Sequence, residues 1–394
     1  MDIDERTSLL ILSSIALSKN RFSSKSLFEN FSSAEAVFKA SEEDLLDIEG
    51  MSASAAKVIA SFGIETSFTK DLQEMDRQGI RMVPYYSNDY PENLRTIRDA
   101  PPVLYVLGIL ERSDAQALAV IGSRNATAYG VEMCQAMTHA LVRKGFCIVS
   151  GVAIGIDAIA HWSAIENGGR TLGVLGTGLD IHYPKSNASL YKKIPEKGAL
   201  ISEFPMGTKP YPANFPRRNR LISGLSLGVL VVEASERSGT MITVRMALEQ
   251  GREVFAVPGD IRSEKSRGTH RLIKQGAKLV DRIEDILEEL NLIAPSVLDD
   301  THISSLGMET NEMPIPTFKN GISREHSSCN EKKGDILSEE AIQVLQAIGT
   351  EGTLLDRIIA RCGLSPARVA GLLTELEILG RIRSLAGNRF QRIR

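Results

Sequence analysis

Val120-Ile121-Gly122-Ser123-Arg124, Ser150-Gly151-Val152-Ala153-Ile154-Gly155-Ile156-Asp157, and Val232-Glu233 running on to Ser238-Gly239-Thr240 decide how this chain folds. Each begins in an apolar, strand-like run and breaks it with a glycine-rich turn, and the first adds an arginine. Such a turn opens a helix whose first amides lack partners, and the helix dipole favours an anion there. Downstream, Phe215-Pro216-Arg217-Arg218-Asn219-Arg220 sets guanidiniums beside an aromatic ring. Turns suited to phosphate together with an arginine cluster point to a nucleic acid as ligand.

Around these turns the chain alternates between two patterns. Apolar runs over 103–107, 118–121, 146–149, 171–175, 199–201, 229–232 and 253–257 read as strands. Between most of them lie helical segments, such as 131–144 with Val131, Cys134, Met137 and Leu141 at helical spacing. Alternation of this kind, with strands rich in Val, Ile and Leu, predicts a mostly parallel sheet covered on both faces. Ligands of such sheets bind at the carboxyl ends of the strands, where all the glycine turns fall.

The flanks differ. Residues 1–80 read as short helices, with Leu9, Leu10, Leu12, Ile15 and Leu17 on one broad face and Ser41-Glu42-Glu43-Asp44 as an N-cap with an acidic first turn. The segment 45–62 resembles a helix-hairpin-helix, but it lacks that hairpin's second glycine and places Glu49 in the turn. It reads as a packing module rather than a DNA contact. Pro295, Pro314, Pro316 and Gly321 mark 291–334 as a flexible linker. Beyond it, helices over 339–348, 353–362 and 366–379, then a hairpin around Gly387-Asn388, describe a winged helix. Arg368, Arg381, Arg383, Arg389, Arg392 and Arg394 make one end of it basic, yet Ala367, Val369, Ala370 and Gly371 offer little for reading bases.

Composition sets limits. The chain has 394 residues, 43% apolar content and a formal net charge of -3, so any nucleic-acid site is a local basic patch. Cys134, Cys147, Cys329 and Cys362 are scattered, which argues against a zinc site or a disulfide scaffold and fits a reducing cytoplasm. The acidic start, Met1-Asp2-Ile3-Asp4-Glu5, is unlike a signal peptide, and no apolar run is long enough to span a bilayer. A soluble cytoplasmic protein is expected.

The order of motifs resembles the DprA (Smf) family of DNA-processing proteins. It runs from Tyr90-Pro91 and Pro101-Pro102-Val103-Leu104-Tyr105 through the turns quoted above, with Ala160-His161, Gly176-Thr177-Gly178-Leu179-Asp180, Tyr183-Pro184 and Ser202-Glu203, to Pro258-Gly259. The resemblance covers about residues 85–280 without a gap. It implies an extended Rossmann-like, mostly parallel sheet (81–290), preceded by a small helical domain of SAM or helix-hairpin-helix type (1–80) and followed, after the linker, by a winged-helix domain (335–394). It also implies a non-catalytic homodimer without cofactor or metal. Such a protein binds and protects single-stranded DNA and helps load the RecA recombinase in natural transformation.

Individual residues carry this reading. Gly122, Ser123 and Arg124, then Gly151 and Gly155, then Ser238, Gly239 and Thr240 would hold phosphates through amides and one guanidinium. Arg217, Arg218, Asn219 and Arg220 would follow a DNA backbone while Phe215 or Tyr211 stacks on a base, unless one arginine turns inward to Glu203 or Glu233. Lys185 is a further phosphate candidate, matching a basic position of the family. Asp157 and His161 share a helix face, and a capping and packing role suits them better than acid–base work. No Walker motif follows Ser238-Gly239-Thr240, and the spacing departs from GxGxxG. The alternative reading is a nucleotide phosphoribohydrolase of the LOG type, whose PGGxGTxxE run is matched only by Ser238-Gly239-Thr240-Met241-Ile242-Thr243, without paired glycines or the glutamate.

Overall fold

The structure is a computed structural model. It describes residues 4–18, 22–62, 68–291, 339–349, 352–364, 368–369, 371–373, 376, 381–385 and 389–392. The segment read as a linker lies, from residue 292 on, outside the described residues. The chain forms two compact units, Met1–Thr301 and His302–Arg394.

The first unit opens with α1 (Glu5–Leu17), α2 (Ser24–Asn30), α3 (Ala34–Lys39), α4 (Glu42–Leu46), α5 (Ala53–Ala60) and α6 (Thr69–Gln78). Serines set several of their starts: the side chains of Ser23, Ser33, Ser41 and Ser52 accept from the amides of Ser26, Ala36, Asp44 and Ala55. Ser41 and Asp44 form a reciprocal capping box. Helix α1 is buried on two sides. Leu9, Leu12 and Ile15 pack with Leu27, Val37, Leu45 and Ile59 of the helical layer, whereas Leu10 packs with Tyr105, Leu175 and Leu200 of the sheet. Ser13 and the Tyr105 hydroxyl share a 2.8 Å hydrogen bond across that junction.

The sheet follows, built from β1 (Ile80–Pro84), β2 (Val103–Gly108), β3 (Ala117–Ile121), β4 (Cys147–Ser150), β5 (Thr171–Leu175), β6 (Gly198–Ser202), β7 (Gly228–Val231), β8 (Glu253–Ala256) and β9 (Lys278–Leu279). The intervening helices are α7 (Glu92–Arg95), α8 (Ala128–Arg143), α9 (Ile156–Glu166), α10 (Ala188–Lys197), α11 (Asn214–Gly224), α12 (Thr240–Glu249), α13 (Glu264–Lys274) and α14 (Ile283–Glu289). All nine strands form one sheet in the order β1-β2-β6-β5-β4-β3-β7-β8-β9. Pairing is parallel from β6 to β9, and antiparallel only where β2 meets β6 and β1. The order β5-β4-β3-β7-β8-β9 is that of a dinucleotide-binding fold, extended at one edge by β6, β2 and β1. The edge strands β1 and β9 lack the sustained apolar run that marks the central ones.

Strand β3 shows why the apolar run is continuous. Leu118 and Val120 point to one face of the sheet, while Ala117, Ala119 and Ile121 point to the other, and all are buried.

The turns lean on one another with no room to spare. Gly155 has φ +80°, and a Cβ there would lie 2.2 Å from the Ser123 carbonyl oxygen. The Ile156 amide donates to that oxygen at 3.1 Å. At Gly122 a Cβ would stand 2.8 Å from Ile156 Cγ1 and 3.0 Å from the Glu233 carbonyl oxygen. The ends of β3, β4 and β7 are thereby fused.

The second unit contains α15 (Glu339–Ala347), β10 (Thr353–Leu354), α16 (Leu355–Cys362), helical residues among 368–376, β11 (Ile382–Leu385) and β12 (Arg389–Arg392). Its strands form a three-stranded antiparallel sheet in the order β10-β12-β11, and Val344, Ile358, Val369, Leu372, Leu376 and Ile382 fill its core. This is a winged helix. Thr353 and Leu354, assigned by helical spacing to the second helix, are a strand instead, because they pair with Phe390 and Arg389. The tip around Gly387-Asn388, like Ala367, Ala370 and Arg394, lies outside the described residues.

Gly155→Ala should lower stability by about 2–4 kcal/mol, the sum of a left-handed backbone and an overpacked contact. Gly239→Ala, where φ is -60° and a Cβ meets nothing within 4 Å, should be neutral or slightly stabilising. Urea-denaturation midpoints of the two variants measure the contrast.

Candidate nucleic-acid interface

The chain leaves β3, builds outward to β6, and returns to β7 beside β3. At that reversal the helices on either side diverge and leave a crevice beyond the carboxyl ends of the strands. A cleft of about 760 Å³ fills it. Gly122, Ser123 and Arg124 line it from β3, Ser238, Gly239 and Thr240 from β7, and Phe215, Arg218 and Asn219 from α11. Of the residues singled out in the sequence, these are brought together with Asp157 and Tyr183.

The two turns present donors. Among the described residues, the amides of Ser123, Arg124, Gly239 and Thr240 donate to no protein group. The Ser238 hydroxyl is enclosed without a partner, and Thr240 Oγ1 donates to the Gly122 carbonyl at 3.1 Å, tying the turns together. Arg124 is exposed on the rim, and no carboxylate among the described residues pairs with it. Lys265 reaches in from α13 and donates to the Asn125 carbonyl. On the opposite rim the rings of Tyr183 and Phe215 lie 5.5 Å apart at 42°, and Tyr183 is 46% exposed. Tyr211 is exposed nearby in the chain.

The remaining arginines are engaged within the protein. Arg218 is buried beneath the cleft, where Nη1 donates to the carbonyls of Gly151, at 2.7 Å, and Val174. Its guanidinium carbon sits 6.0 Å from the Phe215 ring centre. Burial pulls its pKa down to about 10, against the opposing pull of Asp157. Arg217 donates to the Leu17 and Ala16 carbonyls at 2.9 and 2.8 Å, capping the carboxyl end of α1. Arg220 is buried between Glu203 and Asp99, the latter at 3.3 Å, and Arg217 Nε stands 3.4 Å from the other Glu203 oxygen. The inward turn toward Glu203 therefore involves Arg220 and, in part, Arg217.

Gly151 is buried, and Gly155 is half-buried against the β3 turn. A Cβ at Gly151 would be 2.7 Å from both Arg218 Nη2 and Asp157 Oδ2, so this glycine admits the arginine. Lys185 is exposed outside the cleft lining and opens a short 3-10 turn, Lys185–Asn187. Asn187 ties that turn to the β4 end by donating to the Val152 and Ala153 carbonyls.

The acid–base candidates are packing groups. Asp157 accepts from the Gly151 amide at 3.2 Å, and burial raises its pKa against the opposing influence of Arg218 and backbone amides. Thr171 Oγ1 donates to the Ile148 carbonyl, so His161 Nδ1, 2.7 Å away, carries the proton and donates to that hydroxyl. His161 is fully enclosed, and burial lowers its pKa to about 3. Glu233 accepts from the Thr127 amide at 3.0 Å and braces the start of α8. Among the described residues no cluster of three or more His, Cys, Asp or Glu could hold a metal, and no helix is long and apolar enough to cross a membrane.

Sequence reasoning missed Lys265 as a cleft residue and Tyr183 as a ring platform. The first comes from a helix far along the chain, and only the crossover connection brings it to the β3 turn. The motif Tyr183-Pro184 was a visible signal for the second.

Fold and cleft together define an extended Rossmann-like protein with a crevice at its strand ends and a winged helix. Residues 81–291 match the family model for DNA recombination-mediator protein A, and 331–388 match that of the DprA winged helix domain. The chain is 36% identical over 382 residues to the protein Smf of Synechocystis, covering 93% of this chain and 94% of that one. It is 37% identical over 344 residues to the protein Smf of Escherichia coli, covering 87% and 85%. Among solved structures it is similar to the DNA processing protein A of Streptococcus pneumoniae, with a TM-score of 0.61 and 34% identity over 73% of this chain and 99% of that chain. The chain belongs to the DprA/Smf family of DNA-processing proteins.

Because His161 titrates near 3 when folded and near 6.5 when unfolded, the unfolded chain binds more protons between those values. Its contribution to stability is present above pH 6.5 and lost as pH falls toward 3. Asp157, with its pKa raised, acts in the opposite sense and is most stabilising in acid. The melting temperature should thus drop less between pH 7 and pH 5 in His161→Gln than in the parent protein, as calorimetry at both pH values will show.

Proposed function

We propose that this protein binds single-stranded DNA across the cleft at the ends of β3 and β7, and shields it without cleaving it. The observation that carries the reading is the pair of turns with undonated amides beside Arg124, faced by the aromatic rings of Tyr183 and Phe215. Amides and a guanidinium suit phosphate oxygens, and rings suit unpaired bases. A duplex buries the base faces that such rings need.

Within this reading the residues of the turns and of α11 divide by role. Gly122, Ser123, Arg124, Ser238, Gly239 and Thr240 meet phosphate, Phe215 and Asn219 meet the nucleotide, and Lys185 extends the track beyond the cleft. Arg217, Arg218, Arg220, Gly151 and Gly155 hold those groups in place. His161 is fully enclosed and bonded to Thr171, and Asp157 is bonded to the Gly151 amide, so the two form no acid–base pair facing the cleft, which favours binding over hydrolysis. Membership of the family supports a homodimer through the Rossmann-like part (81–290), a hand-over of the strand to the RecA recombinase, and separate roles for the helical module (1–80) and the winged helix (335–394) beyond a linker (291–334). A dimer would raise avidity by presenting two clefts to one strand.

Fluorescence anisotropy with a labelled single strand and its duplex, across a salt series, tests the reading. The parent protein should prefer the single strand, with affinity falling steeply as salt rises. Arg124→Ala should weaken binding about 10-fold, the worth of one charge-assisted phosphate contact. Equal affinity in both proteins would overturn the assignment.

A further inference from the structure

The turn after β3 is a ridge with a cleft on each side. Beyond it from the first cleft lies a second, of about 640 Å³. The same two chain segments line both: Gly122–Arg124 and Lys265 face the first, while Thr127, Tyr129 and Ser266 face the second. The function proposed above leaves this second cleft unused.

Its chemistry differs from that of its neighbour. Tyr129 is 42% exposed, yet its hydroxyl donates to the Pro258 carbonyl at 2.6 Å, which pins the ring at the cleft wall. Ser266 is 4% exposed, and its hydroxyl bonds no protein group among the described residues. Glu233 and Asp260 also line the space, and the nearby Arg262 is already paired with Asp260 at 2.7 Å. A phosphate entering here would meet carboxylates. A neutral, flat, hydrogen-bonding group would meet a fixed ring, a free hydroxyl and carboxylate oxygens able to accept an amino group.

We propose that the second cleft holds the base of a nucleotide adjoining the one in the first cleft, stacked on Tyr129 with its edge toward Ser266. The strand crosses the ridge at Arg124, with its phosphate on the basic side and its base on the acidic side. This rests on the single-strand reading of the first cleft. Tyr129 contributes at low entropic cost because its hydroxyl already fixes the ring before DNA arrives.

The test is anisotropy with the full chain and a short labelled oligonucleotide, compared with an abasic strand of the same length. Tyr129→Ala should bind the intact strand about 10-fold more weakly than the parent, the size of one lost stacking contact. It should bind the abasic strand as the parent does, since there is no base to stack. Tyr129→Phe keeps the ring but frees it from Pro258, so it should bind the intact strand more weakly than the parent and more tightly than Tyr129→Ala. Loss on both strands alike would reduce Tyr129 to a structural residue and overturn the proposal. Parent-like binding by Tyr129→Ala, alongside weakened binding by Arg124→Ala, would overturn the second cleft alone. Parent-like binding by both variants would overturn the first-cleft reading and this proposal with it.

Discussion

Arg218 is a cation held under the floor of the site it serves. A buried ion that loses its partners costs several kcal/mol even after relaxation. Here the guanidinium is met by the Gly151 and Val174 carbonyls, by Asp157 and by the Phe215 ring. Those carbonyls belong to the ends of β4 and β5, so the arginine joins two strand ends to one helix. Helix α11 can then take only one rotation about its axis. Phe215 and Asn219, four residues apart, share the face toward the cleft, whereas Arg217 and Arg220, three apart, share the face toward Glu203. One constraint thus decides which parts of the arginine cluster meet solvent and which hold the protein together.

This explains what the sequence made legible. The central strands and the reversal between β3 and β7 announce themselves as apolar runs ended by glycine turns, because a strand buried on both faces has no polar alternation to disguise it. Ser202-Glu203 and the spacing of Arg217 and Arg220 carried a trace of the buried ion pair. The acceptors of Arg218 and Arg217 carried none, since they are backbone carbonyls of Gly151, Val174, Ala16 and Leu17, and any residue has a carbonyl. An arginine that binds carbonyls and one that binds phosphate look alike in a sequence. Lys265 and Tyr129 were hidden differently, each being ordinary in its own helix and gaining meaning only beside the β3 turn. The short strand β10 was lost because Thr353 and Leu354 also fit a helical pattern, and only pairing with β12 decides between the two.

Net charge makes the division of labour consequential. With a formal charge of -3 the protein has no general attraction for polyanions, and Asp157, Glu233, Asp260 and Glu264 all lie at or near the clefts. In the proposed reading, attraction comes from a few groups held in register: Arg124, Lys265 and the amides of the two turns. Fixed amides are well suited to this, because they lose no rotamer freedom when they bind and no salt bridge competes for them. Their register depends on the close backbone contacts at Gly122 and Gly155, where no side chain fits between the turns. The glycines therefore act less as sources of flexibility than as the means by which three strand ends pack without side chains between them. A rigid, locally basic crevice bounded by carboxylates offers phosphate few points of contact, and this is the arrangement on which the proposed placement of phosphates and bases rests.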